Sequence, residues 1–490
     1  MANRLLTERV ADLRTFGRVK AAGLKLPYAP QGLAHVYIKL DLKPQYENAS
    51  TADDARGFLR SVARAAMAAQ RIAERYDGVL LEVQGSTLHV GLPRRPGVTE
   101  MESANAYVAD LHWAYRDVFN DSRSRVEGWR MTVDSGKTLL VAGRGPHGDD
   151  SWVSLGKAAN RPAKHLYAQL ELAEEDRELK RFFAGIRNPV TGQWHHESLD
   201  RTKSRLEEVK SIAKETRQAE PKLDFLEAVP QWKQATARAL PLAPAGTPAS
   251  PSPEKPHTYF GWVMRVDLDG FTARVEECFD NDQRLHELAD EFYRIMEAAA
   301  QFTVLHKETL AQLPWAGDNF TAAAVFAARA DYDRAIPRRL VELSLDFEKE
   351  MAEAAIDSGF GGWAHGIAGG DVHGNSAGNV YLAGVEVGQR RFLVGAGEGF
   401  GRSAQAFGDI NPKAKEVVVF NPDWERLDEA YKKAFEPAVT QRGQESTLYR
   451  VAKADVLIRA RARQASVGSA TTITFPSGQS RPFPSKPHWK

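Results

Sequence analysis

Cysteine is almost absent: Cys278 is the sole example in 490 residues. A lone thiol excludes an intrachain disulfide framework and a cysteine-built zinc site, and it fits a reducing compartment. Charge of one sign is also missing. The 65 basic and 64 acidic residues leave a net charge of +1, so no basic field or stripe argues for nucleic acid. No apolar run approaches the ~18 residues of a membrane span. The N-terminal stretch MANRLLTERVADLRTF is charged throughout and lacks the apolar core of a signal peptide. A soluble cytoplasmic protein is expected, without membrane or nucleic-acid partners. The apolar fraction, 43%, is sufficient for a real core, and the length suits two or three domains.

One segment is poor in large apolar residues. LPLAPAGTPASPSPEKPH, residues 240–257, reads as an extended linker, and the Pro-rich tail is similar. The expected division is a first unit at 1–215, a linker at 216–257, a second unit at 258–465 and a tail at 466–490. The two units run in parallel. HVYIKLDL ends at Asp41 and Leu42 as WVMRVDL ends at Asp267 and Leu268. A helical stretch follows each, with Leu59, Val62, Ala66, Ala69 and Ala73 on one face in the first and Leu285, Leu288, Phe292 and Ile295 in the second. Each leads to a hairpin with a central glycine, Gly85 or Gly317. SWVSLGKAANRPAKHLYAQ later parallels RFLVGAGEGFGRSAQAFG. The order of elements is kept while the loops differ, which predicts a tandem repeat of one α+β unit.

The segment MRVDLDGFTARV places carboxylates where a strand turns into a helix, and WAGDNF sets Asp318 at a hairpin tip. If the two strands are neighbours, Asp267 and Asp318 converge. Hard divalent cations take such oxygen ligands together with substrate phosphates. The amides from Leu268 through Gly270, Phe271 and Thr272 open a helix and suit a triphosphate. The combination reads as a nucleoside-triphosphate site.

VDLDGFT followed by AGDNFTAAAVF resembles the class III nucleotide cyclases, the adenylate and guanylate cyclase family. The resemblance implies a tandem pair of ferredoxin-like βαββαβ domains and two Mg²⁺ or Mn²⁺ ions held by Asp267, Asp318 and the Leu268 carbonyl. It also implies a ribose-orienting asparagine followed four residues later by an arginine. LGKAANRPAKHLY supplies Asn160, with Lys164 in the arginine place; charge is kept while the planar fork is lost. The defects of the units are complementary. The second has both metal aspartates, but Gly401 and Gln405 where Asn and Arg belong. The first has Asn160 and Lys164, but Ser86 where the second metal aspartate belongs, although Asp41 persists. Because this family builds each site across two facing domains, the resemblance implies one live site and one dead one. The domains could pair within one chain, as a pseudo-dimer, or exchange between two chains as a homodimer.

In this family the base is read three residues before the hairpin glycine and seven before the asparagine, here Glu82 and Val153; Tyr46 could narrow the pocket. Adenylate cyclases carry Lys and Asp or Thr there, so the adenine-reading pair is missing. The chain most resembles the Pycsar pyrimidine cyclases. That implies a uridylate cyclase making cyclic UMP from UTP in anti-phage defence, with a separate effector that responds to the cyclic nucleotide. A guanylate or adenylate cyclase, and a nucleotide-binding regulatory module without catalysis, are the alternatives.

Overall fold

The computed structural model describes residues 31–42, 52–120, 124–144, 150–168, 186–187, 194–195, 202–219, 221, 223–224, 259–268, 271–306, 310–326, 329–357, 372–388, 390–410 and 415–468. The first unit runs β1 (Gln31–Leu42), α1 (Ala52–Glu74), β2 (Val79–Gln84), β3 (Thr87–Pro93), α2 (Glu100–Val118), β4 (Val126–Arg144), β5 (Asp150–Leu155), α3 (Lys157–Ala168). A further helix, α4 (Thr202–Gln218), follows. The second unit repeats the order: β6 (Tyr259–Asp267), α5 (Phe271–Cys278), α6 (Asp282–Leu305), β7 (Leu310–Gln312), β8 (Asn319–Phe326), α7 (Arg329–Asp357), β9 (Val372–Val387), β10 (Arg390–Ala396), α8 (Glu398–Asp409). It is extended by β11 (Glu416–Phe420), α9 (Asn421–Trp424), α10 (Glu429–Lys432), β12 (Glu436–Val439), β13 (Glu445–Lys453) and α11 (Ala454–Gly468).

The first sheet has the order β2-β3-β1-β4-β5. The second repeats it as β7-β8-β6-β9, with β10 paired to β9 and the extension β11-β13-β12 added beyond β9. The repeat read from sequence is therefore a repeat of topology. In β1 the period-two alternation divides the residues cleanly. Ala34, Val36, Ile38, Leu40 and Leu42 are buried under the unit's own helices, whereas His35, Tyr37, Lys39 and Asp41 lie on the opposite face. All nine apolar positions expected on the two helical faces, from Leu59 to Ile295, are buried.

The units share their cores. Leu139, Val141, Val153 and Leu155 of the β4–β5 arm pack in the cluster of the second unit's helices, with Phe292 and Ile295. Val385, Phe392 and Val394 of the β9–β10 arm pack in the cluster of the first unit's helices, with Leu59 and Ala66. Each long helix thus lies against the other unit's arm, α6 on β4 and α1 on β9. Burying the four aliphatic side chains named on the β4–β5 arm contributes roughly 6–12 kcal/mol in gross transfer free energy.

The segment expected to be a linker, 216–257, is partly structured. Helix α4 continues to Gln218, with Val209, Ala213 and Thr216 buried against the first unit, and Leu223 and Asp224 pair with Val385 and Gly384 of β9. The reason lies in composition: Pro and Ala dominate only from residue 240 onward, and apolar residues precede that stretch. Helix α11 likewise ends at Gly468, three residues past the expected boundary. No helix among the described residues is long and apolar enough to cross a membrane. His365, Asp371 and His196 lie outside the described residues, and His195 sits in a two-residue strand.

Candidate active site

Asp267 ends β6 and stands directly opposite Asn319, the first residue of β8. Asp318 immediately precedes that residue, in the two-residue turn Gly317–Asp318 closed by paired Ala316 and Asn319 backbone bonds of 3.1 and 2.9 Å. Gly317 has φ +60°, the conformation required of the first central residue of a type II′ turn. Sheet pairing therefore brings the two carboxylate-bearing positions to one sheet end, both partly exposed. An aromatic ladder underlies them. Phe271 meets Phe292 at 5.1 Å, Phe292 meets Trp315 at 5.4 Å, and Trp315 meets Phe320 at 5.4 Å. One end of the ladder follows the Asp267 turn and the other brackets Asp318, so core packing fixes their separation.

The Leu268 carbonyl accepts the Phe271 amide at 3.3 Å, which leaves its second lone pair. Phe271 is buried in the ladder, so only its backbone faces the turn; Thr272 is half-buried. Gly270 and Tyr46 lie outside the described residues. Two carboxylates and a carbonyl are all hard oxygen donors, a set that suits magnesium or manganese. Among the described residues no group of three or more His, Cys, Asp or Glu forms a metal cage. A carboxylate pair instead leaves coordination positions for water and phosphate oxygens.

Asn160 is the fourth residue of α3, half-buried, with its backbone N–H donating to the Gly156 carbonyl at 3.3 Å. A side chain at Gly156 would meet the Lys137 carbonyl at 2.6 Å, so the strand-to-helix turn needs glycine. Helix α3 packs against α5, the helix that follows Asp267, and the Lys157 ammonium lies 5.2 Å over the Phe279 ring. The helix that carries Asn160 therefore meets the second unit. Lys164 is the eighth residue of the same helix, and its side chain lies outside the described residues.

Glu82 sits on β2 at a bulge: Leu80 pairs with Val90 and Glu82 with His89, leaving Leu81 as the extra residue. The bulge turns both Leu81 and Glu82 toward the face that meets the second unit. Glu82 is buried, and burial raises its carboxyl to a pKa of about 8. Val153, on the neighbouring β5, is buried and apolar. The sequence reading missed His89, which adjoins Glu82, and His35 and Thr138, which stand in line behind it. The available signal was parity, since His35, Tyr37, Lys39 and Asp41 alternate on one strand face. Arg390 was missed as well. This buried residue of β10 donates to the carbonyls of Leu80 and Leu81, the latter at 3.2 Å, and so braces the bulge across the unit boundary.

The pseudo-symmetric counterpart is differently built. Asp41 accepts a 2.6 Å bond from Arg130, so a guanidinium already neutralises it, and Ser86 offers no carboxylate. Phe400 of α8 stands where α3 has Ala159, its ring filling the space over Gly395. The remaining cleft, lined by Lys39, Ser86, Arg265, Thr321, Gly395 and Phe400, measures about 40 Å³, room for a few waters and not for a nucleotide. Gly401 occupies the asparagine position of α8, followed by Gln405.

No known protein-family profile matches the chain, and no curated protein matches it. Its structure is similar to that of a class III adenylyl cyclase-like ATP-binding protein from Pseudomonas aeruginosa: identity is 15%, 88% of this chain and 90% of that chain are covered, and the TM-score is 0.57. The guanylyl cyclase Cya2 covers 40% of this chain and 92% of its own at 13% identity, with a TM-score of 0.30. The adenylyl cyclase CyaB from P. aeruginosa covers 40% and 94% at 11% identity, with a TM-score of 0.29. The fold assignment rests on the first of these: an α+β chain carrying two class III cyclase-type domains in tandem.

Proposed function

We propose that the chain is a nucleotide cyclase with one working site, formed where the second unit's carboxylates face the first unit's α3. The observation that carries this reading is the pairing of unlike halves. Asp267 and Asp318 share a sheet end beside α5, α5 packs on the helix bearing Asn160, and the reciprocal site has Asp41 tied to Arg130. The first unit supplies ribose and base contacts, and the second supplies the metal ligands.

Divalent ions bound by Asp267, Asp318 and the Leu268 carbonyl would lower the pKa of the ribose 3′ hydroxyl and neutralise phosphate charge. Asn160 orients the ribose so that the 3′ oxygen lines up with the α-phosphorus. The first-turn amides of α5 hold phosphate oxygens. The 3′ oxygen bonds to the α-phosphorus, the bond to the bridging oxygen breaks, diphosphate leaves, and the hydroxyl proton passes to solvent. Lys164 meets the charge that builds on the phosphates. No side-chain base is needed.

The finer reading is a pyrimidine cyclase that converts UTP to cyclic UMP for a separate effector in anti-phage defence. The apolar Val153 and the carboxyl Glu82 at the base-reading positions support it against adenine; uracil over cytosine follows from the resemblance. Incubation with each of the four NTPs and Mn²⁺, with product identification by mass, tests it. Cyclic UMP is expected, lost by more than a hundredfold in Asp267→Asn and Asp318→Asn and retained in Asp41→Asn. Product formed equally by Asp267→Asn would sink the reading. A second reading, nucleotide binding without turnover, draws on the description of the P. aeruginosa protein as ATP-binding and on Lys164 in an arginine place. Tight binding of a triphosphate with no cyclic product from any of the four would favour it.

A further inference from the structure

We propose that His89, with His35 and Thr138 behind it, fixes which hydrogen-bonding edge Glu82 presents to the nucleobase, and so sets base choice. The inference rests on the nucleotide site proposed above. These four side chains form one buried line. Thr138 Oγ1 lies 3.4 Å from the Gly136 carbonyl. His35 Nε2 lies 2.8 Å from Thr138 Oγ1, and His35 Nδ1 lies 2.9 Å from His89 Nε2. His89 Nδ1 lies 3.5 Å from Glu82 Oε2, at the long end of hydrogen-bonding reach. Tyr37 stacks on His89 at 4.0 Å and holds the ring in its plane.

A neutral imidazole has one donor and one acceptor, so each partner dictates the next. The line starts at a carbonyl, which can only accept. Thr138 donates to Gly136, and its oxygen then accepts from His35 Nε2–H. That leaves His35 Nδ1 as an acceptor for His89 Nε2–H. His89 Nδ1 is then a bare lone pair turned toward a carboxyl oxygen, and the favourable partner for it is a Glu82 O–H. Glu82 therefore commits its proton to His89 and keeps one carbonyl oxygen for the base. The opposite polarity is also self-consistent: an ionised Glu82 accepts from His89 Nδ1–H, and Thr138 donates to His35, abandoning Gly136.

Burial decides between the two. It raises the Glu82 carboxyl to about 8 and lowers His35 to about 3, and it lowers His89 with help from repulsion by His35. The charged groups near β2 are few. Glu82 and the two histidines stand on β2, β3 and β1, Lys39 lies further along β1, Asp134 of β4 stands opposite His35 with the Arg161 guanidinium 3.8 Å from it, and Arg390 comes from β10. The Arg390 guanidinium is committed to the carbonyls of Leu80 and Leu81 and to the faces of Phe392 and Trp152. Below a pH of about 8 the pocket therefore offers one acceptor, which suits a single ring N–H or amino group. An ionised Glu82 offers two, which rewards the adjacent N1–H and N2 amino donors of guanine. His89 and His35 are positioning residues; neither touches substrate.

The test measures binding of the four α,β-methylene NTPs with Mg²⁺ to the full chain by calorimetry, from pH 6.5 to 9. For the wild type, guanine affinity relative to uracil should rise about fivefold to tenfold as pH passes 8, the worth of one further hydrogen bond. Thr138→Val removes the acceptor that holds His35 Nε2–H, which unpins the line, and the guanine shift should begin at a lower pH than in the wild type. Thr138→Ser should behave as wild type, which separates the relay from packing. Ring ¹⁵N shifts of the wild type should find His89 Nδ1 unprotonated at pH 7. A protonated Nδ1 there, or a Thr138→Val chain that folds and keeps the wild-type ratio, overturns the relay. Failure of all four analogues to bind overturns both the relay and the nucleotide site. Base-selective binding that shifts as described, with no cyclic product, removes only the cyclase reading.

Discussion

Single residues carry the chemistry, and the buried ones also leave a thermodynamic signature. His35 and His89 are held neutral by burial, so the unfolded chain binds more protons than the folded one below the ordinary histidine value of 6.5. Stability from these groups is lost as pH falls below that value. Glu82 acts in the opposite sense. Its folded pKa is raised from 4.5 to about 8, so its contribution is fully present below 4.5 and is lost as pH rises toward 8. His112 and His306 are also lowered by burial, so between those limits the histidines outweigh the one glutamate up to and slightly past 6.5, and the glutamate governs above that. Urea midpoints should peak between pH 6.5 and 8. Glu82→Gln should flatten the alkaline limb and leave the acid limb in place. A wild-type alkaline limb that survives this substitution would show that Glu82 is not the group responsible.

At the scale of elements, the two hairpins offer a matched comparison. Gly85 and Gly317 both hold positive φ, +52° and +60°, and a methyl group at Gly317 would meet nothing within 4 Å. Substitution there costs backbone strain alone, about 1 kcal/mol. Gly317→Ala should therefore lower stability slightly and product yield much more, because it re-aims Asp318. Gly85→Ala should cost a similar amount of stability with product yield nearly unchanged, because Ser86 belongs to the closed counterpart. Melting midpoints and product assays on both variants check this asymmetry. The hairpins themselves were legible in sequence, since a glycine between two short apolar runs specifies a tight turn. The bulge beside Glu82 was not. Nothing in VLLEVQ announces that Leu81 is the extra residue, because bulge position is fixed by pairing with β3 and by Arg390 from a distant strand.

At the scale of the molecule, each unit's helices are completed by the other unit's strand arm. Arg390 is the polar counterpart of that exchange. Arg390→Met keeps the bulk but leaves two buried carbonyls without their donor, and should destabilise the chain by about 3 kcal/mol, read from the urea midpoint. The shared cores also bear on assembly. With pairing inside one chain, mixing full-length Asp267→Asn with full-length Asn160→Ala should restore no activity, since neither chain then holds a complete site. Recovery to about a quarter of wild type on mixing would instead reveal exchange between chains.

The sequence alone determined the local grammar: a repeated order of strands and helices, glycine at both hairpin tips, and carboxylates at one strand end and one turn. These follow from short-range periodicity and turn sterics, which need no knowledge of distant contacts. It also determined which half lacks which group, because a missing carboxylate or asparagine is visible in the letters. Only the tertiary structure decided that α3 meets α5, that Arg130 neutralises Asp41, that Phe400 closes the second cleft, and that Glu82 is buried behind two histidines. Those outcomes depend on which surfaces are removed from water together, and burial, unlike periodicity, is a property of the whole packed chain.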